Sequence, residues 1–546
     1  MAAPYASNRI TLYLLLLVWA ALAFAMANPN IAGLYHDDGI YLTCSKSLAT
    51  GQGYRIISLP EQPYQTKYPP LFSLLLVPVW WISPEFPENI RWFQSIVILC
   101  GVAFLWLSHQ MVVRVFKFEP RVSLLLLALF VLNPALLSAS QWILSEIPYA
   151  AVSTAALLYY EARCRSSGSA PGHRLFLLAA LSGAGYLLKA HGIVLPMALA
   201  VCILLERKWR DLTIYLASLS LFLVPWWLWA SQANKGVRYS PLTQYYVGYQ
   251  STLSGSQSFE HWAMIIGQNT KYLANTLDHF VLALIPLSQT GSRIPLTLMI
   301  FGVGVAMIWR SISRAVAIYV VLFLFVVLLL PWHPDRHLLP IIPIFLGAAT
   351  LAVLQAREWM SARHSKFLKV LQHPLPRLVI WIPIAVIFIS QSVQILLGLQ
   401  RKHLTLLPNY DAFYCREESW KGFIETNSWI LRNVGTSERM ASAFDPLYFL
   451  YTGRQGIRYW FHNPESYFYP NYLRADPEVG DPKVIVNHLR DLNITWLIRE
   501  EAAEMMFAEG KAVNALAQRI AEGVYPKATL AFASSEGRSQ IYRLQW

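Results

Sequence analysis

Apolar runs fill most of the first 397 residues of this chain, and short basic loops separate them. Runs of near-spanning length fall at 10–27, 90–113, 122–139, 143–160, 175–188, 193–205, 212–230, 294–309, 315–331, 338–355 and 377–397. A membrane-crossing helix needs about 20 apolar residues, so the pattern predicts a polytopic α-helical membrane protein with about eleven spans. The loops set its orientation. Arg114, Lys117 and Arg121, then Arg163, Arg165 and Arg174, then Arg207, Lys208 and Arg210, then Arg310 and Arg314, and finally Arg357, Arg363, Lys366, Lys369 and Arg377 follow alternate runs. With Arg9 inside, eleven spans put every cluster in the cytoplasm, as the positive-inside rule requires.

The same parity decides the ambiguous segments. PPLFSLLLVPVWWI (69–82) is apolar, but a crossing there would invert everything downstream, so it is expected to lie at the membrane boundary as a juxtamembrane or re-entrant helix. Its Pro69-Pro70 start suits a first helical turn. VLALIPL (281–287) is assigned to the boundary for the same reason. The runs at 175–188 and 193–205 are short, which predicts a broken pair around Lys189, His191 and Gly192. The first run ends AFAMAN, a small-residue pattern like a signal-peptidase site, yet its basic region holds Arg9 alone and many spans follow. Residues 1–27 are therefore read as a retained span.

Three segments then fall outside: 28–89, 231–293 and everything after about 397. The last differs in texture. RMASAF (439–444), VIVNHLRDL (484–492), ITWLI (494–498), a helical stretch at 500–522, ATLAFAS (528–534) and SQIYRLQW (539–546) predict strands alternating with helices. This gives a transmembrane domain at 1–397 and a compact extracytoplasmic α/β domain at 398–546.

The composition agrees, with 55% hydrophobic and 14% charged residues against about a quarter charged in soluble domains. The formal charge of +13 resides largely in the topogenic loops and does not point to nucleic acid. Cys44, Cys100, Cys164, Cys202 and Cys415 show neither CxxC nor zinc spacing; Cys44 and Cys415 could pair outside, but free thiols are expected.

Candidate chemistry gathers on the outer face. LYHDDGIYL (34–42) sets Asp37 and Asp38 just past the first run, beside His36 and flanked by Tyr35 and Tyr41. An Asp pair there could simply cap a helix. Its neighbours argue for more: Lys67 precedes the Pro-Pro helix and Glu146 opens the outer turn SEIPY (145–149). Ionisable groups at this depth are expensive unless they line a cavity. The chemistry that fits is glycosyl transfer from a lipid-linked donor, with a carboxylate taking the acceptor hydroxyl proton. A cation must then balance the leaving phosphate. Lys67, Lys189, Arg336 and His337 are the candidates, the last two from PWHPDRHLLPIIP (331–343) at an outer boundary. Each could instead be a snorkelling anchor. Trp142, Tyr245, Tyr246 and Trp332 could stack on sugar or lipid, although interface belts are the ordinary use of such residues. SPLTQYYVGYQSTLSGSQS (240–258) reads as a mobile acceptor loop. Asp445 and Arg454 in DPLYFLYTGRQG (445–456) read as fold-stabilising, with acceptor binding as the alternative, and Asn493 heads an NIT sequon.

Taken in order, the Asp-containing first outer loop, the Lys-Tyr-Pro-Pro-Leu helix (67–71), the outer Glu146 and Arg-His-Leu-Leu-Pro (336–340) resemble the GT-C superfamily. The chain is most similar to its family 39-like members, which include protein O-mannosyltransferases and aminoarabinose transferases. NVGTSERMASAFDPLYFLYTGRQ (433–455) resembles the outer domain of their bacterial members. The resemblance implies that Asp37 or Asp38 is the base and that Lys67 and Arg336 hold the donor phosphate. It also implies that a polyprenyl-phosphate sugar enters from the outer leaflet. Many relatives have Asp-Glu where this chain has Asp-Asp, so which carboxylate acts stays open. A divalent cation, Mg²⁺ or Mn²⁺, on Asp37 and Asp38 is neither required nor excluded, and His36 could ligate it or tune the pair.

The expected activity is inverting transfer of a sugar to a lipid, polysaccharide or protein acceptor, outside a bacterial inner membrane. His36, Tyr35, Tyr41, Glu146, Tyr245 and Tyr246 are the expected substrate-binding residues. The rival reading is a lipid-linked-sugar flippase or transporter, which would place ionisable groups near the midplane in paired halves. An assembly factor with a partner-binding outer domain explains the tail but not Asp37, Asp38 and Lys67.

Overall fold

A computed structural model describes residues 3–165, 168–248, 259–277, 302–330, 335–363, 387–397, 399, 417–461, 480–506, 510–523 and 525–546. Its first part is helical. Among the described residues, three helices have the length and apolarity to cross a membrane: Arg9–Met26 within α1 (Ala3–Met26), α4 (Ile90–Arg114) and α10 (Trp209–Ala233). At 1.5 Å per residue the 25-residue α4 and α10 reach about 37 Å, enough for a hydrocarbon core of about 30 Å. The other apolar helices are shorter, Arg314–Leu329 and Arg336–Ala352 among them.

One run that looks continuous by hydropathy is broken by the backbone, and another ends in a change of helix type. The 122–139 run divides into α5 (Pro120–Val131) and α6 (Pro134–Ala139), where Asn133 caps the second piece by accepting from Leu136 N at 3.1 Å. Proline has no N–H to donate, so Pro134 starts a helix more readily than it continues one. The 143–160 run begins as α7 (Glu146–Tyr159) and ends in a π-helical turn, Tyr160–Cys164. Between α8 (Gly172–Leu188) and α9 (Val194–Leu205) the chain does break, with Lys189 extended and a 3₁₀ turn over Ala190–Ile193.

The boundary elements are compact. α2 (Asp37–Ala49) lies against α3 (Leu71–Ile82), where Trp80 Nε1 donates to Ser45 Oγ at 2.8 Å. At 12 residues α3 is about 18 Å long, too short to cross. After α10, a short helix α11 (Pro241–Val247) is stitched to the first outer segment. Asn234 Nδ2 donates to Tyr64 O at 2.9 Å, and Thr66 Oγ1 to Val247 O at 2.6 Å. The described part of the expected mobile acceptor loop is thus pinned; residues 249–258 and 278–293 lie outside the described residues. So do segment 281–287, Trp332, Cys415 and the first part of the 377–397 run. Cys44 is a buried free thiol.

The described residues from 417 onward form a mixed sheet with helices. Strands β1 (Arg439–Ala441), β2 (Gly456–Ile457), β3 (Ile494–Glu500), β4 (Lys527–Ala533) and β5 (Ser539–Gln545) lie in the order β2-β1-β3-β5-β4. β1 pairs in parallel with β2 and β3, and β5 runs antiparallel to both β3 and β4. Residues 484–491 belong to the helix Pro482–Asp491, which buries Ile485, Val486 and Leu489. The expected helical stretch at 500–522 is carried by Glu501–Met506 and Gly510–Glu522.

This C-terminal unit shares one apolar core with the first outer segment: Leu34, Ile40, Tyr54 and Ile56 pack in the same cluster as Leu447, Tyr448 and Ile457. The approach is close. A Cβ at Gly39 would come within 2.7 Å of Pro446 Cβ, and one at Gly33, where φ is +89°, within 2.8 Å of Leu447 Cδ1. Backbone pairing adds to it, with Gly456 N donating to Ser58 O at 2.9 Å.

Candidate active site

The start of α2 sets the two aspartates in opposite roles. Asp38 turns into the backbone: Gly33 N donates to its Oδ2 at 2.7 Å and Gly39 N to its Oδ1 at 2.9 Å. Both oxygens are therefore engaged, and the residue is 1% exposed. Burial pushes the Asp38 carboxyl up to about 7, against the pull of those two N–H groups. Asp37 faces the other way, with a quarter of its side chain exposed. Tyr68 Oη donates to its Oδ1 at 2.8 Å, and Arg336 Nη2 pairs with its Oδ2. Burial pushes the Asp37 carboxyl up, but Arg336, Tyr68 and Lys189 outweigh it and hold it below the ordinary carboxylate value.

An ionic chain runs on from Asp37. Arg336 Nε lies 3.2 Å from Glu146 Oε1, and Lys189 Nζ lies 2.6 Å from the same oxygen. Each member comes from a different element. Asp37 opens α2, Glu146 opens α7, Lys189 occupies the α8–α9 break and Arg336 lies in the 3₁₀ turn Asp335–Ile341. Glu146 is buried behind the pair while Asp37 and Arg336 face outward, so the buried carboxylate anchors both cations.

Lys67 approaches from the first outer segment. Its Nζ donates to Tyr245 O at 3.0 Å and sits 4.0 Å from the Tyr245 ring centroid. Gln65 Oε1 shapes this stretch by accepting from Lys67 N at 2.8 Å and Tyr68 N at 3.1 Å. Burial lowers the Lys67 ammonium to about 8, Arg458 adding to the effect and Asp37 opposing it.

The remaining expected residues divide. His337, adjacent to Arg336, packs its ring edge-on against His191 at 5.0 Å rather than joining the Asp37–Arg336 pair. Tyr35 packs on Trp142 with centroids 4.7 Å apart, which buries a ring expected to be available for sugar stacking. Tyr41 lies edge-on to Phe72 at 4.9 Å, with its hydroxyl 3.3 Å from Ser145 Oγ, a packing position. Tyr246 Oη donates to Asp445 Oδ1 at 3.0 Å, and His36 Nε2 lies 3.8 Å from that oxygen. Arg454 donates to the carbonyl of Val434 from Nε at 3.1 Å and from Nη2 at 2.9 Å, a turn-holding role.

Tyr68 and Arg458 are not among the expected site residues, and Asp445 is expected chiefly to stabilise the fold. The first stands inside the quoted Lys-Tyr-Pro-Pro stretch, which is a signal. Asp445 and Arg458 come from the C-terminal unit, whose docking brings Asp445 against Tyr246 and His36 and sets Arg458 close enough to influence Lys67. Burial pushes the Asp445 carboxyl up to about 7 in spite of Arg458 and Tyr246.

A divalent cation on Asp37 and Asp38, which the sequence neither requires nor excludes, does not fit this arrangement. The Asp38 oxygens are filled by backbone N–H groups and Asp37 is matched by a guanidinium, so the two carboxylates do not converge on a common point. Among the described residues no group of three or more His, Cys, Asp or Glu side chains is placed to hold a metal ion.

No protein-family model matches the chain, and no curated protein matches it in sequence. Solved structures do match it in three dimensions. ArnT from Cupriavidus metallidurans bound to undecaprenyl phosphate superposes with a TM-score of 0.57 at 14% identity, over 100% of this chain and 98% of that one. Its apo form gives 0.57 at 14% identity, over 99% and 98%. The oligosaccharyltransferase AglB from Archaeoglobus fulgidus, in complex with an inhibitory peptide and a dolichol-phosphate, gives 0.52 at 11% identity, over 97% and 74%. The chain has the GT-C fold. It is thus a helical membrane protein, and within this GT-C frame Asp37, Lys67, Glu146, Lys189 and Arg336 meet at one end of the helices, beside the C-terminal unit.

Proposed function

We propose that the chain is a glycosyltransferase that moves a sugar from a polyprenyl-phosphate carrier to an acceptor outside the cytoplasm. In this reading about eleven spans carry the site to the outer face of a bacterial inner membrane. Residues 398–546 are then an extracytoplasmic domain covering that site. The observation that carries the reading is the pairing of one outward-facing carboxylate, Asp37, with a bank of cations, Arg336, Lys189 and Lys67, in a GT-C fold. The undecaprenyl phosphate held by the ArnT structure supports a carrier of that class.

The reaction follows from the charges. Asp37 takes the proton of the acceptor hydroxyl while that oxygen attacks the anomeric carbon. The bond from that carbon to the phosphate oxygen breaks, and the polyprenyl phosphate leaves with the electron pair. Arg336, Lys189 and Lys67 stabilise the charge that develops on it. In the resting site Arg336 is paired with Asp37, which keeps the carboxylate ionised but a weak base. A donor phosphate competes for the guanidinium and leaves Asp37 to Tyr68, raising its basicity when the acceptor is in place. Asp38 holds the start of α2 through its two backbone contacts and is not the group that takes the acceptor proton.

Attack opposite to the leaving phosphate inverts the anomeric centre. Purified protein offered a panel of polyprenyl-phosphate sugars with envelope extract as acceptor is expected to give a transferred sugar of inverted configuration. Retention would contradict the single displacement, and no transfer with any donor would contradict the enzyme reading.

A further inference from the structure

Asp445 joins segments that are far apart in sequence. Its Oδ1 accepts from Tyr246 Oη at 3.0 Å, with Arg458 Nε 3.6 Å away and His36 Nε2 3.8 Å away. Asp445 and Arg458 belong to the C-terminal unit, His36 to the first outer segment and Tyr246 to α11. All four side chains are buried, Asp445 completely. A carboxylate so withdrawn from water persists only with partners of this kind.

Two of these partners lead one step further, to residues given chemical roles above. Tyr246 follows Tyr245, whose carbonyl accepts from Lys67 Nζ and whose ring lies beneath the same ammonium. His36 precedes Asp37, and its backbone stands at φ 63°, ψ −53°, a region that residues with a Cβ rarely enter. Its ring is held between Tyr246, at 5.2 Å between centroids, and Asp445. An off-rotamer or relaxed His36 would let the first turn of α2, and Asp37 with it, rotate away from Arg336 and Tyr68.

We infer that Asp445 is a positioning residue of the membrane-boundary site: through Tyr246 it sets Lys67, and through His36 it sets Asp37. The inference rests on the reading of Lys67 and Asp37 as donor-phosphate ligand and base. It makes the C-terminal unit a working part of the site rather than an appendage. Small displacements matter here, since a shift of about 1 Å in a reacting group can cost on the order of a hundredfold in rate.

The test measures three quantities on full-length protein in detergent: binding of undecaprenyl phosphate, donor KM and kcat for transfer, and thermal stability. Tyr246→Phe removes one hydroxyl, and Asp445→Asn keeps the shape and one acceptor oxygen, so both are mild. Each is expected to weaken undecaprenyl phosphate binding by about five- to tenfold, the effect of one well-placed hydrogen bond. Donor KM should rise more than kcat falls, with thermal stability within a few degrees of wild type. The double variant should be little worse than either single one, because both lie on the same path. Lys67→Met supplies the reference for lost phosphate binding. If Lys67→Met weakens binding while Tyr246→Phe and Asp445→Asn match wild type, the inference is overturned and the donor reading stands. If the losses track a lowered melting temperature and vanish on cooling, the role is only structural and the inference is equally overturned. Failure of the wild type itself to bind undecaprenyl phosphate would overturn the donor reading, and the inference with it.

Discussion

Replacing Arg336 by methionine separates what this guanidinium does for the fold from what it does for the reaction. The side chain bridges Asp37 and Glu146 and is about three-quarters buried, as is Asp37. Removing one partner of a fully buried pair costs about 3–5 kcal/mol, and exposed pairs are worth about 0–1 kcal/mol. Here Glu146 keeps Lys189 at 2.6 Å and Asp37 keeps Tyr68 at 2.8 Å, so an intermediate loss of about 1–3 kcal/mol is expected. For the reaction, deleting one preorganised charge at a developing anion costs about 10²–10³ in kcat, or roughly 2.7–4 kcal/mol. Arg336→Met should thus lower the melting temperature modestly and depress transfer a hundredfold or more at temperatures where the variant is still folded. Arg336→Lys keeps a charge but cannot reach Asp37 and Glu146 together as the fork does, and should recover only part of the loss. The assay is transfer from a polyprenyl-phosphate sugar, normalised to folded protein by size exclusion. Transfer by Arg336→Met within about twofold of wild type would refute the argument, since an effect near 10² is required.

Two further outcomes follow from the same geometry. Asp38→Asn puts an amide NH₂ where a carboxylate oxygen now accepts a backbone N–H; unfolding should become easier by about 1–3 kcal/mol while transfer per folded molecule stays near wild type. A pH profile tests the proposed role of Lys67 at the donor phosphate: its ammonium is fully charged well below pH 8 and lost as pH rises through about 8, so kcat/KM for donor should fall about tenfold per unit above that point. Lys67→Arg should shift this limb to higher pH, and an unshifted limb would assign it to another group.

How far the sequence carried the account varies with the physics involved. Asp37, Lys67, Glu146, Lys189 and Arg336 could be gathered from five separate stretches because ionisable groups at a membrane boundary are too expensive to keep unless they meet one another. The α8–α9 break was legible from the two short runs on either side of Lys189. Asp38 was not separable from Asp37, since its role depends on Gly33 taking a positive φ that brings a backbone N–H onto the carboxylate. The α5–α6 division was hidden because hydropathy does not register the hydrogen bond that Pro134 cannot make. Strand β2 has two residues and no pattern to read. The contacts of Asp445 with His36 and Tyr246 depend on a docking between segments some 200 to 400 residues apart, and nothing local to DPLYFLYTGRQG announces them.

Asp37, and not its neighbour, is the proposed base for sugar transfer. The most direct measurement compares wild type, Asp37→Asn and Asp38→Asn in single-turnover transfer from a polyprenyl-phosphate sugar, with undecaprenyl phosphate binding recorded for each. Asp37→Asn is expected to bind the carrier at least as well as wild type, because Arg336 is freed, yet to lose transfer, while folded Asp38→Asn retains it. Transfer by Asp37→Asn at the wild-type rate, or its loss in Asp38→Asn alone with folding intact, would contradict the account.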